Sequence, residues 1–273
     1  MAEAYRYPDH DDVVTKLGLE GSEPFPGYWI QSERRILDLM ATRIASLRQG
    51  FGKPSWMMDA GCGWGRLIPR FHPYFDRVLA VEPDPERLDR ARQSAAKEGF
   101  QEKTVFLCQQ LQDLAWPDGS IDVAISSHVI QHVRTDLVLP ILRNLLRVIR
   151  ADGVLFLTTS HSPIGRDFHA VGVANEARAT FRPIAREEFD RIAASSSEGL
   201  PVRFYAIRTL EMILSEAGFL TEQVRVFQLM GHSRVLRIAD ALIGRDRLAN
   251  TCSILKERMG SNVFVAARKA RPT

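Results

Sequence analysis

From residue 54 onward, two patterns alternate along the chain, and this alternation limits the possible folds more than any other feature. Short apolar runs fall at 56–60, 78–82, 104–108, 121–126, 153–158, 224–229 and 263–267. Most are rich in Val, Ile, Leu or Phe, as strands covered on both faces are. Helical patterns lie between them. Asp84-Pro85-Glu86 reads as an N-cap, a proline at the first helical position and an acid in the first turn, with Gly99 as the stop. Val138, Ile141, Leu142, Leu145, Leu146 and Ile149 recur at helical spacing, while Arg143, Arg147 and Arg150 take the opposite face. Pro140 is tolerated there only near the helix start. Thr209 is expected to cap a helix carrying Leu210, Ile213, Leu214 and Ala217 that ends at Gly218. Strand-helix alternation of this kind predicts an α/β fold with a doubly wound, mostly parallel sheet of seven strands.

Two stretches stand outside the alternation. Residues 1–53 are read as an N-terminal helical segment or cap, with Ile36, Leu37, Met40, Ile44 and Leu47 at helical spacing. Residues 54–273 are read as the main domain. Within it, 159–208 is too long for a simple connection and is expected to be an insertion after strand five that caps a substrate. The stretch 194–199 reads as a loop. The pattern at 235–243 suits either a packed cover or a subunit contact.

Composition sets outer limits. The chain has 273 residues and a net charge of +3, so no polyanionic partner is demanded. With 45% apolar and 25% charged residues, its values are those of a globular protein. No apolar run reaches the roughly 18 residues that spanning a bilayer needs, and the polar, acidic start does not read as a secretory signal. Cys62, Cys108 and Cys252 are widely spaced and form no CxxC pair, which argues against a disulfide framework or zinc ribbon and for a reducing, cytoplasmic location. Arginine supplies 30 of the 36 basic residues, a bias that points to GC-rich, bacterial coding.

The chemistry centres on Met58-Asp59-Ala60-Gly61-Cys62-Gly63-Trp64-Gly65-Arg66, which follows the first apolar run and is expected to open a helix. Alternate glycines let the backbone turn tightly and approach a ligand, and amides at a helix start then face it. A dinucleotide fingerprint would space its glycines G-x-G-x-x-G. Here the third glycine comes one residue early, and Asp59 would repel a pyrophosphate. A ligand with a cationic sulfonium and an ammonium suits the loop better. Glu82, 17 residues after Gly65 at the end of the second run, is placed to accept both hydrogen bonds of a ribose diol.

This segment resembles motif I of the class I S-adenosylmethionine (SAM)-dependent methyltransferases. The resemblance continues through Val81-Glu82-Pro83, through residues 113–122, through Ser126-Ser127-His128-Val129-Ile130-Gln131-His132-Val133, and into Ala151-Asp152-Gly153. The nearest subgroup is the small-molecule enzymes similar to those of ubiquinone and menaquinone biosynthesis. The likeness covers about residues 55–160 and the last helix and two strands. It implies a Rossmann-like fold, SAM as cofactor, S-adenosylhomocysteine as product and no metal. By resemblance, Gly61, Cys62, Gly63 and Gly65 lie beside the methionine moiety, Asp59 fixes that loop, and Arg66 meets the SAM carboxylate. Glu82 holds the ribose, Pro83 flanks the adenine, and Gln110, standing where the family often has an acid, contacts the adenine together with the Leu111 backbone. Ser126 lines the space near the methyl. Trp29 and Arg34, at the opening of the N-terminal helix, belong to a segment that closes over SAM in relatives.

The expected reaction is methyl transfer to an O, N or C nucleophile of a small-molecule acceptor. His128 is the first candidate for a base, His132 the second and His161 the third, because histidine titrates near neutrality. His128 and His132 could share a metal by spacing, but the intervening glutamate of a zincin and a third ligand are missing. Arg166, Arg178, Arg182, Arg186, Arg203 and Arg208 could draw an acidic substrate. A protein or RNA methyltransferase, or a SAM-binding protein without transfer, remains the alternative. Nucleic acid is a poor partner because no basic domain or run of stacking aromatics is present, and the oligomeric state is open.

Overall fold

A computed structural model describes residues 28–174, 179–195, 199–228, 250 and 253–270. Helix α1 (Tyr28–Leu47) leads into β1 (Trp56–Ala60), the short α2 (Ile68–Phe71), β2 (Arg77–Val81), α3 (Pro85–Glu98), β3 (Thr104–Leu107), β4 (Ile121–Ser127), α4 (Val138–Val148) and β5 (Ile149–Ser160). An excursion follows: β6 (Phe168–Ala174), β7 (Ala179–Ile184), α5 (Arg186–Ser195) and β8 (Leu200–Phe204). Then come α6 (Ile207–Ala217), β9 (Phe219–Phe227), α7 (Ser253–Arg258) and β10 (Asn262–Lys269). The main sheet runs β3-β2-β1-β4-β5-β10-β9, and β10 is antiparallel to both its neighbours. The excursion forms its own antiparallel sheet, β7-β6-β8. The seven expected strands and the doubly wound sheet are all present.

Consecutive strand residues point to opposite faces, and the core divides accordingly. Met58, Leu79, Ala124 and Leu155 pack with α4 and α6 through Leu142, Leu145, Leu210 and Leu214. Their neighbours Met57, Val78, Val123 and Val154 pack with α1 and α3 through Ile36, Met40, Ile44, Leu88 and Ala95. Helix α1 thus covers one face of the sheet with three residues at i, i+4 and i+8. Its connection to β1 is tied down by buried Asp122, whose carboxylate accepts from the amides of Gly52 and Trp56 and from Arg150, each at 2.7 Å.

Local signals explain both ends of α3. Asp84 Oδ1 accepts from the amides of Glu86 (2.9 Å) and Arg87 (3.3 Å), and Gly99 closes α3 with φ +79°. Two expectations fail. The glycine loop does not lead straight into a helix: α2 begins only at Ile68 and has four residues, because the loop turns back on itself, with the Gly65 amide on the Cys62 carbonyl at 2.8 Å. Thr209 does not cap α6, which starts at Ile207 with no side-chain cap of its own. Instead Asp167, forty residues upstream in the excursion, accepts from the Ala206 amide at 2.9 Å and pairs with Arg203 at 2.7 Å.

The excursion is fastened to the strand ends by Tyr205. Its amide bonds to the Ser160 carbonyl at 3.0 Å, and its buried hydroxyl donates to the Ile130 carbonyl at 3.1 Å. Burial pushes that phenol well above its ordinary range, so it stays a donor. Tyr205→Phe is expected to lower stability by about 1 kcal/mol in urea denaturation; an unchanged midpoint would show the bond to be inconsequential. Residues 1–27 and 235–243, the central part of the 194–199 loop, Leu229, Arg178 and Cys252 carry sequence expectations but lie outside the described residues.

Candidate active site

In an open parallel sheet, ligands bind beyond the carboxyl ends of the strands where the strand order reverses. Here that point lies between β1 and β4, and most of the expected site residues stand at that rim. Asp59 is the last residue but one of β1 and is 2% exposed. Its Oδ2 is buried with no hydrogen-bond partner, and burial raises its pKa from 3.8 to about 7, with Arg66 opposing and Glu82 adding. Gly61, Gly63 and Gly65 follow with φ of +80°, +53° and +79°.

The loop amides are not aimed outward as expected. Those of Gly61 and Cys62 bond to the Val81 carbonyl at 2.8 and 2.9 Å, and that of Gly63 donates to Glu82 Oε2 at 2.9 Å. Glu82 therefore braces the loop, while Oε1 takes the Asp84 amide at 3.2 Å. Burial raises its pKa, and these two amides oppose the shift. Cys62 is a buried small residue whose thiol burial pushes up, which removes thiolate chemistry from consideration. Trp64 is 42% exposed, with the guanidiniums of Arg87 and Arg90 at 5.3 and 5.4 Å from its ring.

Around this loop the other residues fall into two groups. Pro83 is half-buried, Gln110 is exposed after β3 with its side chain bonded by Gln112, and Leu111 is buried. Ser126 is buried near the end of β4, its Oγ without a partner. Arg66 and Arg34 do not behave as expected. Arg66 forms a two-pronged pair with Glu33 of α1 at 2.8 and 2.9 Å, and Arg34 is exposed on the same helix. The side chain of Trp29 lies outside the described residues. Glu33 was invisible in the sequence because nothing local marks a carboxylate whose partner is 33 residues away.

The three histidines separate clearly. His128 follows β4 with φ +56°, a left-handed conformation that few non-glycine residues adopt. Its amide bonds to the Thr158 carbonyl at 2.9 Å and its Nδ1 lies 3.1 Å from Gln131 Oε1. The adjacent Val129 packs on the loop so closely that a Cβ on Gly61 would lie 2.4 Å from its Cγ2. Burial holds the His128 pKa below the ordinary histidine value. His132 is turned away: Nδ1 is 2.6 Å from the Pro201 carbonyl and Nε2 is 3.0 Å from Gln131 Nε2. Both nitrogens are committed, so it is a tether to the excursion and not a base. His161 is buried, bonded through Nδ1 to the Gly260 carbonyl at 3.0 Å, and serves the β5–β10 junction. The arginines of the excursion are likewise engaged: Arg203 with Asp167, Arg182 with Glu188, and Arg186 with Thr135 and Asp190. Arg166 and Arg208 are exposed. No group of three or more His, Cys, Asp or Glu able to hold a metal occurs among the described residues, and no described helix is long and apolar enough to cross a membrane.

The strand order is that of a doubly wound, Rossmann-like sheet, with the glycine loop after β1 and an acid after β2 at its carboxyl ends. Residues 58–157 match a family described as a methyltransferase domain. Ajmaline N-methyltransferase of Rauvolfia serpentina is 30% identical over 110 residues, 40% of this chain and 37% of the relative. The chain spans less than half the length of the first curated relatives it matches. Among solved structures, an S-adenosylmethionine-dependent methyltransferase from Mesorhizobium loti is similar with a TM-score of 0.51 and 21% identity, over 82% of this chain and 96% of that one. The [4+2]-cyclase SpnF is similar with a TM-score of 0.56 and 20% identity, over 95% and 94% of the two chains.

Proposed function

We propose that this protein binds SAM at the β1–β4 rim and transfers its methyl group to an O, N or C nucleophile of a small molecule. The observation that carries this reading is Asp59: a buried carboxylate oxygen without a partner, beneath a glycine loop, beside a second buried acid. An unpaired buried carboxylate is costly and is relieved by a cation. A pyrophosphate would worsen it; an ammonium or sulfonium relieves it, so the residues fit SAM. Asp59 and the loop 61–65 would hold its methionine part, and Glu82, Pro83, Gln110 and Leu111 its nucleoside. The unpartnered Ser126 hydroxyl is a further hydrogen-bonding group near the end of β4. SAM supplies an already activated methyl group. The chain's own task is to hold the acceptor in line with it, and orientation of that kind is worth about 7–11 kcal/mol. The neutral His128 stands ready to take a proton.

Relatives named for small-molecule acceptors, ajmaline N-methyltransferase among them, support that substrate class, and the excursion β6–β8 would cover the acceptor. A second reading, SAM binding without methyl transfer, is favoured by the shared fold with a protein named as a cyclase. Calorimetric titration with SAM, S-adenosylhomocysteine and NAD separates the main possibilities. Micromolar binding of both adenosyl ligands and no heat with NAD is expected; NAD binding without SAM binding would overturn the cofactor. Release of S-adenosylhomocysteine over an acceptor panel then distinguishes transfer from binding alone.

A further inference from the structure

A single amide, that of Gln131, writes the proton positions of two histidines. The backbone N–H of Ser160 can only donate, and it lies 2.7 Å from Gln131 Oε1. The oxygen end of the amide is therefore fixed, and the Ser160 hydroxyl reaches the same oxygen at 3.0 Å. Nε2 is then the donor end, so His132 Nε2 at 3.0 Å must accept. His132 must carry its proton on Nδ1, which faces a carbonyl that can only accept. The two requirements agree. The same Oε1 lies 3.1 Å from His128 Nδ1, so that nitrogen must also be protonated. In the neutral ring, Nε2 of His128 is left as a lone pair.

We propose that Gln131 is a positioning residue that holds His128 as the Nδ1–H tautomer with Nε2 free to accept, and that the acceptor atom presented there carries a proton, as a hydroxyl or N–H does. This rests on the methyltransferase reading above. Three further features support it. His128 keeps a left-handed backbone, which is a strain that surrounding structure must hold in place. Gln131 is 7% exposed and ties the segment after β4 to β5 directly and to the excursion through His132, so it is rigidly held. Val129, adjacent to His128, packs directly on Gly61, which places His128 at the glycine-loop side of the rim. An accepting lone pair welcomes O–H or N–H and repels a carboxylate. In transfer, the proton of the acceptor passes to Nε2, the acceptor's lone pair forms the new bond to carbon, and the S–CH3 bond breaks with its electron pair staying on sulfur. The imidazolium then loses its proton to water.

The charged groups around the ring set how it titrates. Burial and Arg66 favour the neutral form, and Glu33 and the bond to Gln131 oppose them. Ring-nitrogen NMR of the full-length, 15N-histidine-labelled protein reads the tautomer directly, with His128→Gln to assign the signal. The expected wild-type signal is Nδ1 protonated and Nε2 bare. Gln131→Glu puts a carboxylate against Nδ1–H and is expected to raise the His128 pKa by about one unit or more. Gln131→Met, of similar size and unable to accept, is expected to release the ring to a mixture of tautomers. Wild-type protein with Nε2 protonated, or Gln131→Glu with an unchanged His128 pKa, would overturn the positioning role. If Gln131→Met fails to fold, the wild-type and Gln131→Glu spectra decide alone. For the acceptor class, phenol and benzoate are titrated into protein loaded with S-adenosylhomocysteine. A shift of Nε2 with phenol and not with benzoate is expected, and any other pattern overturns that part. Loss of S-adenosylhomocysteine binding itself would strike the methyltransferase reading instead, so the two failures are distinguishable.

Discussion

Gly61→Ala is expected to lower the stability of the protein by on the order of 2–5 kcal/mol, the sum of two independent penalties. The first is conformational: Gly61 has φ +80°, a region that costs an L-residue about 1–2 kcal/mol. The second is steric. The new Cβ would stand 2.4 Å from Val129 Cγ2, and forcing an extra carbon into a packed contact costs about 1–3 kcal/mol. The two are separable by urea denaturation. Val129→Ala in the Gly61→Ala background should recover the steric part and leave the conformational part. Gly99→Ala is the matching control, since Gly99 has φ +79° but nothing within 4 Å of a new Cβ, so only the conformational cost should appear. Wild-type stability of Gly61→Ala would mean that the loop relaxes freely, and the rigid support of the site argued above would fall with it.

The second large effect concerns Asp59 and pH. The folded chain keeps the Asp59 proton up to about pH 7, whereas the free carboxyl releases it near 3.8. Between those values the folded state binds more protons than the unfolded one. Stability from this group is therefore full below the lower value and falls as pH rises through the window, by on the order of a few kcal/mol. A cationic ligand needs the ionised form, so its binding expels the proton. SAM affinity should then climb with pH and level off above 7, being about tenfold weaker at pH 6 and about a hundredfold weaker at pH 5 than on the plateau. Glu82, also raised by burial, adds to the loss at the acid end. Asp59→Asn should flatten both curves: a more stable cofactor-free protein at pH 8 with SAM binding largely gone. Calorimetry from pH 5 to 8 checks this, and a pH-independent affinity in the wild type would remove Asp59 from the cofactor's surroundings.

Much of the main sheet was legible because its signals are local. The Asp84 cap, the Gly99 stop and the apolar runs each lie within a few residues of what they specify. The failures have a common cause. The start of α6 is satisfied by Asp167, the Gly63 amide by Glu82, and Arg66 by Glu33, and each partner is remote in the chain. Helical periodicity marked α1 correctly, but which sheet face it would cover could not be seen before β1 and β3 were placed. The small sheet of β6, β7 and β8 escaped notice because its strands mix polar and apolar residues with no single clear period. Histidine was easy to nominate from type and position, yet discriminating His128 from His132 required knowing which atoms of Gln131 face Ser160, and no spacing rule carries that.

The position of β10 bears on how the protein is made. Strand β10, which follows β9 in the chain, sits between β5 and β9. While residues 262–269 are still inside the ribosome, β9 has no neighbour to pair with and β5 shows an open edge, the kind of surface that recruits other chains. Nascent chains of this protein thus emerge with five strands assembled and a gap awaiting one more. Chaperone demand should concentrate in that interval, between the appearance of α6 and the release of β10.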